Sequence, residues 1–297
     1  MDADILPLFC DIDDFCKRFE PDFNKRLLAD GSLQRIRKSS LCLSEVMTII
    51  IYFHLSGYPT FKDFYTRSVS KHMLAASPNL VSYNRFVELM ADPLVPLCAY
   101  LNTGFGQCSG ICFVDSLPLA VCHSRRIHSH RVFADMARRG KSSMDWFYGF
   151  KLHLIVNDAG ELLAIRLTAG NIDDRKPVPN LTKKLFGKLI GDRGYISKKL
   201  TELLSEGGLQ LITKIKGKMK SRLVPLLDKL LLRKRALIET INDQLKNICQ
   251  IEHSRHRSTT NFVVNTIAAL IAYTFKEKKP SLNIRVKELE KLSPVLV

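Results

Sequence analysis

Apolar residues in the first third of the chain recur with helical spacing. LSEVMTIIIYFHL (43–55) lays its apolar side chains along one wide stripe, and Ser44 stands where a helix cap is needed. Gly57-Tyr58-Pro59 ends that helix. A second helix is expected from about Thr60 to Met73, and a third from near Ser82 through YNRFVELM. Three short helices around a Gly-Pro turn fit a helix-turn-helix layout, and they fit any small helical bundle equally well.

From residue 111 the pattern changes. ICFVDSLPLAVCH holds two β-rich runs around Ser116-Leu117-Pro118, which reads as a hairpin. FYGFKLHLIVNDAGELLAIRLTAGN reads as two strands joined at Asn157-Asp158-Ala159-Gly160. Residues 173–186 are expected to be helical, with Pro177 and Pro179 confining the regular part to their C-terminal side. KLIGD (188–192) is a short strand, 197–206 a helix and LQLITKI (209–215) a strand. A long helix is expected over about 224–250 and an apolar one near 260–275. The order predicts an α/β fold, a mixed sheet with helices on its faces behind a small helical N-terminal domain.

Composition excludes some classes. With 46% hydrophobic and 25% charged residues, a disordered or low-complexity chain is not expected. The longest apolar candidate, 262–275, has 14 residues and includes Asn265 and Thr266, so no membrane span and no membrane partner are expected. The acidic start MDADILPLFCDIDDF fits neither a secretory signal nor a transit peptide.

Charge adds a partner. The formal net charge is +16 and it is unevenly placed. Residues 1–110 carry 11 basic and 12 acidic side chains; residues 111–297 carry 34 and 17. A field this positive suits a polyanion, most simply nucleic acid. Within it, 124–145 holds five Arg and one Lys against two Asp, so Arg125, Arg126, Arg131, Arg138, Arg139 and Lys141 form a candidate backbone-binding strip; the same stretch also reads as a solvated loop. Trp146, the single Trp, follows it; it is able to stack on a displaced base, but beside a strand it is expected in the core. Cys108, Cys112, Cys122, His123, His128 and His130 have irregular spacing for a zinc site, and buried thiols in a reducing cytoplasm are expected instead.

Three carboxylates carry the candidate chemistry. Asp115 follows the apolar CFV and Asp192 the apolar LIG, and a carboxylate closing a buried strand is costly without a partner. Glu239 lies on the long helix, with Arg235, Asn242 and Lys246 at helical spacing on its polar face. Each has a plainer reading: turn caps for the two Asp, an ordinary solvated face for Glu239. Together, two strands and a helix presenting carboxylates are what two-metal phosphoryl chemistry requires, because Mg²⁺ prefers hard oxygen ligands. Asp173 and Asp174 compete for the second position, and their Asn-x-Asp-Asp context before a helix reads as N-capping.

These motifs in combination resemble a DDE-type insertion-sequence transposase with a ribonuclease-H-like core, and are most similar to the insertion-sequence nine-eighty-two family. The resemblance spans essentially the whole chain and is strongest over 111–275. FVDSLPL (113–119) is similar to the first-Asp strand, YGFKLHLIVNDAGELLAIRLTAGNIDDRKPVP (148–179) to the strand pair and Gly-Asn segment, and GDRGY (191–195) to the second-Asp turn. Arg235, Glu239 and Lys246 match the related Tyr-x2-Arg-x3-Glu-x6-Lys signature, whose Tyr position is Leu232 here. IEHSRHRSTTNFVVNTIAALIAY (251–273) is similar to the C-terminal helix of the core.

The resemblance implies three domains: helices with DNA-end binding over 1–105, a ribonuclease-H-like catalytic domain over 106–280 and a tail over 281–297. It implies Asp115, Asp192 and Glu239 as catalytic residues holding two Mg²⁺ ions, with Mn²⁺ able to substitute. Arg235 and Lys246 would contact phosphates. The expected partners are terminal inverted repeats and target DNA, bound by a homodimer at the bacterial nucleoid. Two rivals remain at this stage: a nuclease of the same fold without strand transfer, and a decayed transposase or regulator that only binds DNA.

Overall fold

The computed structural model describes residues 5–32, 34–35, 39–73, 79–142, 145–214, 223–252, 256–282 and 295–296. Packing divides the chain into two compact units, one of residues 1–104 with 245–275 and one of 105–244 with 276–297. The expected tail lies almost wholly outside the described residues.

In the first unit, α1 (Ile5–Ala29) and α2 (Leu43–Phe53) pack together. Ser44 does not cap α2. Cys42 takes that position, its backbone N–H donating to Glu45 Oε2 at 2.8 Å, while the Ser44 hydroxyl donates to Asp13 on α1 at 2.8 Å. The next helix runs as α3 (Phe61–Phe64), a π-turn at Tyr65–Val69 and α4 (Ser70–His72). α5 (Tyr83–Leu89) starts at a Ser82 cap, and α6 (Leu94–Thr103) follows. The turn at Gly57, where φ is +73° and only Gly is unstrained, sits beside an aromatic cluster of Phe53, Tyr58, Phe61, Phe64, Tyr65 and Phe86.

The second unit is built on a mixed sheet. β1 (Ile111–Cys122) is one continuous strand, not the hairpin that Pro118 suggests. β1 pairs antiparallel with β3 (Trp146–Asn157) along its whole length but parallel with β5 (Gly187–Gly191) only at 111–113. Beyond Phe113 that edge of β1 carries no ladder among the described residues, so a proline lacking its N–H is tolerated at 118. β2 (Arg138–Lys141) and β4 (Leu162–Ala169) share the other edge of β3. They meet where Gly140, Gly149 and Gly170 crowd together. A Cβ on Gly149 would stand 2.0 Å from the Leu119 carbonyl oxygen, so no larger residue fits that crossing.

α7 is a single turn (Val178–Leu181), far shorter than the helix expected over 173–186, because the two prolines leave little room and the chain must return to β5 at Gly187. α8 (Lys198–Glu206) leads to β6 (Leu209–Thr213), parallel to β5. β7 (Leu223–Val224) precedes α9 (Leu226–Lys234) and α10 (Ala236–Asp243) and pairs with the terminal β8 (Val295–Leu296).

Strand alternation sorts the two faces. Cys112, Val114 and Ile155 pack with Val178, Tyr195, Leu200 and Leu204 under α7 and α8. The opposite face receives α9 on β5 and β6, and α10 on β1. This is the expected α/β arrangement, a mixed sheet flanked by helices. The long helix foreseen over 224–250 is broken: α9 stops at Lys234, Arg235 turns, α10 follows, and a π-turn occupies Gln244–Ile248.

α11 (Thr259–Thr274), the apolar segment assigned from sequence to the sheet-bearing domain, packs instead on α2 and α6 of the first unit. Its apolar surface is buried around most of its circumference, which explains the hydropathy of 262–275. Among the described residues, no helix is long and apolar enough to cross a membrane.

Candidate active site

Asp115 sits in the middle of β1, opposite Leu154, on the face that receives α10. Its side chain is 17% exposed. Arg235, at the turn between α9 and α10, brings Nη2 to 3.4 Å from Asp115 Oδ1. Two turns later Asn242 donates from Nδ2 to Asp115 Oδ2 at 3.0 Å. Arg235 also donates from Nη1 to Glu239 Oε1 at 2.6 Å. The helical spacing of Arg235, Glu239 and Asn242 is therefore used: two of the three hold Asp115, and the guanidinium ties it to Glu239.

Asp192 follows β5 and accepts the Gly194 N–H at 2.8 Å, capping a one-turn 3₁₀ helix over Arg193–Tyr195. The motif's glycines have a steric reason. A Cβ on Gly194 would come 2.9 Å from Asp192 Oδ1, and one on Gly191 would come 3.0 Å from the Tyr195 ring.

Electrostatics link the three carboxylates. Burial pushes the Asp115 carboxyl up to about 6; Arg235 and the Ser116 N–H pull it down, and the charges of Asp192 and Glu239 push it up again. Burial, then Asp115, Asp174 and Asp192, hold the Tyr195 phenol well above its usual range. Tyr195 Oη and Asn242 Oδ1 are buried polar atoms with no hydrogen-bond partner among the described residues. From the sequence Tyr195 was read only as part of GDRGY, and Asn242 only as a member of the polar face that carries Glu239.

Other expected residues lie elsewhere. Lys246, in the π-turn, belongs to the helical unit and pairs with Glu252 at 3.0 Å. Leu232, at the signature's Tyr position, is buried. Asp173 pairs with Arg175 and accepts its backbone N–H, a turn-capping role. Asp174 pairs with Lys151 at 3.0 Å and lies 4.0 Å from His153, so it serves as a partner to β3. Cys112 and Cys122 are buried free thiols.

Among the described residues no group of three or more His, Cys, Asp or Glu side chains stands close enough to hold a metal ion. The donor chemistry nonetheless suits a hard cation. Asp115 is a carboxylate that burial disfavours, its nearest cation is a guanidinium at 3.4 Å, and Asn242 presents an unsatisfied oxygen beside it.

The basic strip is ordered. Arg125 and Arg126 stand on a 3₁₀ turn, Ser124–Ser129, whose first N–H is capped by His123; Arg138, Arg139 and Lys141 stand on β2; Arg131 lies between, and all six are exposed. Trp146 is not in the core. It is 48% exposed, because the strand begins there, before the sheet's covered region.

A family model described as "Transposase DDE domain" matches residues 105–259, more than half of the chain and all three candidate carboxylates. Among solved structures, the cryo-EM structure of a piggyBac transposase synaptic complex with hairpin DNA is similar over 87% of this chain and 73% of that one, at 12% identity and a TM-score of 0.49. No curated protein matches the chain. The matched span begins at the first residue of the sheet-bearing unit and runs past Glu239, and on it the chain belongs to the DDE-domain transposases.

Proposed function

We propose that this transposase hydrolyses phosphodiester bonds at the ends of an insertion sequence and joins the freed 3′-OH to target DNA. The observation that carries this reading is Asp115. A carboxylate in the middle of a central strand is held by Arg235 and Asn242, and the charges of Asp192 and Glu239 act on it. Such concentration of negative charge costs stability and is retained where a cation is to be bound.

Asp115, Asp192 and Glu239 would hold Mg²⁺ or Mn²⁺, as two ions. Bound there, the ions supply charge neutralisation at the scissile phosphate and an activated nucleophile. The chain's own residues do the rest. Arg235, whose guanidinium already bridges Asp115 and Glu239, is placed to hold a phosphate oxygen. Asn242 fixes the Asp115 carboxylate in one orientation. The exposed strip of Arg125, Arg126, Arg131, Arg138, Arg139 and Lys141 supplies phosphate contacts, and Lys246 adds another.

The partners in this reading are terminal inverted repeats, with the first unit's helices contributing to end recognition, and target DNA, engaged by a homodimer associated with a bacterial nucleoid. Membership closest to the insertion-sequence nine-eighty-two family belongs to the same proposal, with catalysis assigned to the sheet-bearing part of 106–280.

The test is an in vitro reaction with the element's own ends. Cleavage in Mg²⁺ and joining of pre-cut ends to a plasmid support the reading. Cleavage without joining would reduce it to nuclease activity, and salt-sensitive binding with neither step would leave a DNA-binding protein only.

A further inference from the structure

The exposed tryptophan has a built environment. Strand register places Lys141 directly opposite Trp146, and Arg139, two residues earlier, on the same face. Arg139 Cζ stands 5.1 Å from the indole centroid and Lys141 Nζ 5.8 Å. Neither cation has a carboxylate partner among the described residues. The adjacent Asp145 turns Oδ1 to the Trp146 backbone N–H at 2.6 Å. Below, Tyr148 is buried on the same face, its hydroxyl donating to the Phe133 carbonyl at 3.3 Å. Two like charges thus share one side of a ladder beside a half-exposed aromatic ring, on strands and not on a loose loop.

That combination has a chemical complement. The cations call for anions and the indole for a flat ring, and a nucleotide carries both. In an intact duplex the base faces are covered by their neighbours, so an indole can stack only on a base that is unpaired. We infer that Trp146, Arg139 and Lys141 form a stacking site for an unpaired DNA strand, the indole taking a base and the two cations the flanking phosphates. This inference rests on the DNA reading above and names which form of DNA this edge of the sheet takes.

The molecule carries its own reporter, because Trp146 is the chain's single tryptophan. The probe is a thymidine oligonucleotide of about ten residues, with saturation followed by anisotropy of a labelled copy. Quenched indole emission and protection from acrylamide are expected on binding. Heparin, which offers charge without bases, should leave both unchanged at saturation, as should a blunt duplex with capped ends. Trp146→Leu, at an exposed position, should keep the far-ultraviolet spectrum and melting of the parent and lose about five- to a hundredfold in affinity for the oligonucleotide, but little for the duplex. Arg139→Ala with Lys141→Ala should lower the salt slope of oligonucleotide binding by about two contacts.

Unchanged emission and acrylamide access with the oligonucleotide saturated would overturn the inference. Equal loss of oligonucleotide and duplex binding in Trp146→Leu would do so as well. The end-cleavage assay, run on the same preparation, separates the two readings: cutting with a silent tryptophan removes only the stacking site, and a responsive tryptophan without cutting removes only the catalytic reading.

Discussion

Asp115→Asn should make the metal-free protein more stable while abolishing its chemistry. Burial holds the Asp115 carboxyl at about 6, against an ordinary value of 3.8. A gap of about two units corresponds to roughly 3 kcal/mol, at about 1.4 kcal/mol per unit. The folded value lies above the unfolded one. The folded state therefore holds this proton more tightly, and its advantage is complete below about pH 4. It is lost as pH rises to about 6, so at pH 7.5 the ionised side chain penalises folding in full. Asparagine cannot ionise. Its amide oxygen can still accept from Asn242, and Arg235 keeps Glu239 at 2.6 Å. Allowing up to about 1 kcal/mol for the weakened Arg235 contact, the variant should gain about 2–3 kcal/mol at pH 7.5 and nothing near pH 4.

The assay is urea unfolding of both proteins in chelator at pH 7.5 and 4.0. The wild-type profile alone does not decide the matter, because His153 opposes Asp115. Burial, against a smaller opposing pull from Asp174, holds the His153 imidazole down at about 4. Its contribution is therefore lost as pH falls from about 6.5 to 4, the same window in which Asp115 becomes protonated and ceases to cost. The difference between variant and parent cancels the histidine. A variant less stable than the parent at pH 7.5, or a difference unchanged between the two pH values, would refute the electrostatic account of the site.

Asn242→Ala removes the amide that orients Asp115; cleavage in Mg²⁺ should fall about ten- to a hundredfold, with end binding by anisotropy within twofold of the parent. His153→Gln keeps a hydrogen-bonding partner for Thr168, now 2.8 Å from Nε2, and should flatten the acid loss of stability between pH 6.5 and 4 in urea titrations. Lys188→Met strands Asp228, only 2% exposed and now 2.5 Å from the Lys188 ammonium; unfolding should show a loss of about 3–5 kcal/mol, and adding Asp228→Asn should recover much of it.

The sheet and the positions of the candidate carboxylates were legible because they rest on local pattern. Alternation marked β3 and β4, and an Asp closing an apolar run marked positions 115 and 192. What was not legible depended on neighbours far away in sequence. Pro118 reads as a turn until it is known that β5 pairs only up to Phe113 and leaves that edge open. Trp146 reads as core because large aromatics beside strands usually are, yet its strand starts before its covering layer does. The helix 259–274 is apolar nearly all round, a pattern that shows burial without naming the partner, and the partner is α2 and α6. Asn242 carries no chemistry of its own and gains a role only from Asp115, 127 positions earlier.

The helix break at Arg235 leaves the helical periodicity of the buried positions in place. A uniform helix over 224–250 would carry one apolar stripe through Leu230, Leu237, Ile241, Leu245 and Ile248. Instead Leu231 and Leu232 are buried before the turn and Leu237, Ile238 and Ile241 after it, and Ile248 is 50% exposed. Leu231 and Ile238 are seven residues apart, two helical turns, so the buried stripe keeps its phase across Lys234-Arg235 and lies one position away from the one that the sequence suggested. α9 packs on β5 and β6 and α10 on β1, where Arg235 and Asn242 reach Asp115. A π-turn follows at Gln244–Ile248, a form that interrupts α-helices locally, and past it Ile248 leaves the buried stripe. Helical spacing thus sets Arg235 and Asn242 on Asp115 while Arg235 holds Glu239, and this connects the helix carrying Glu239 to the strand carrying Asp115.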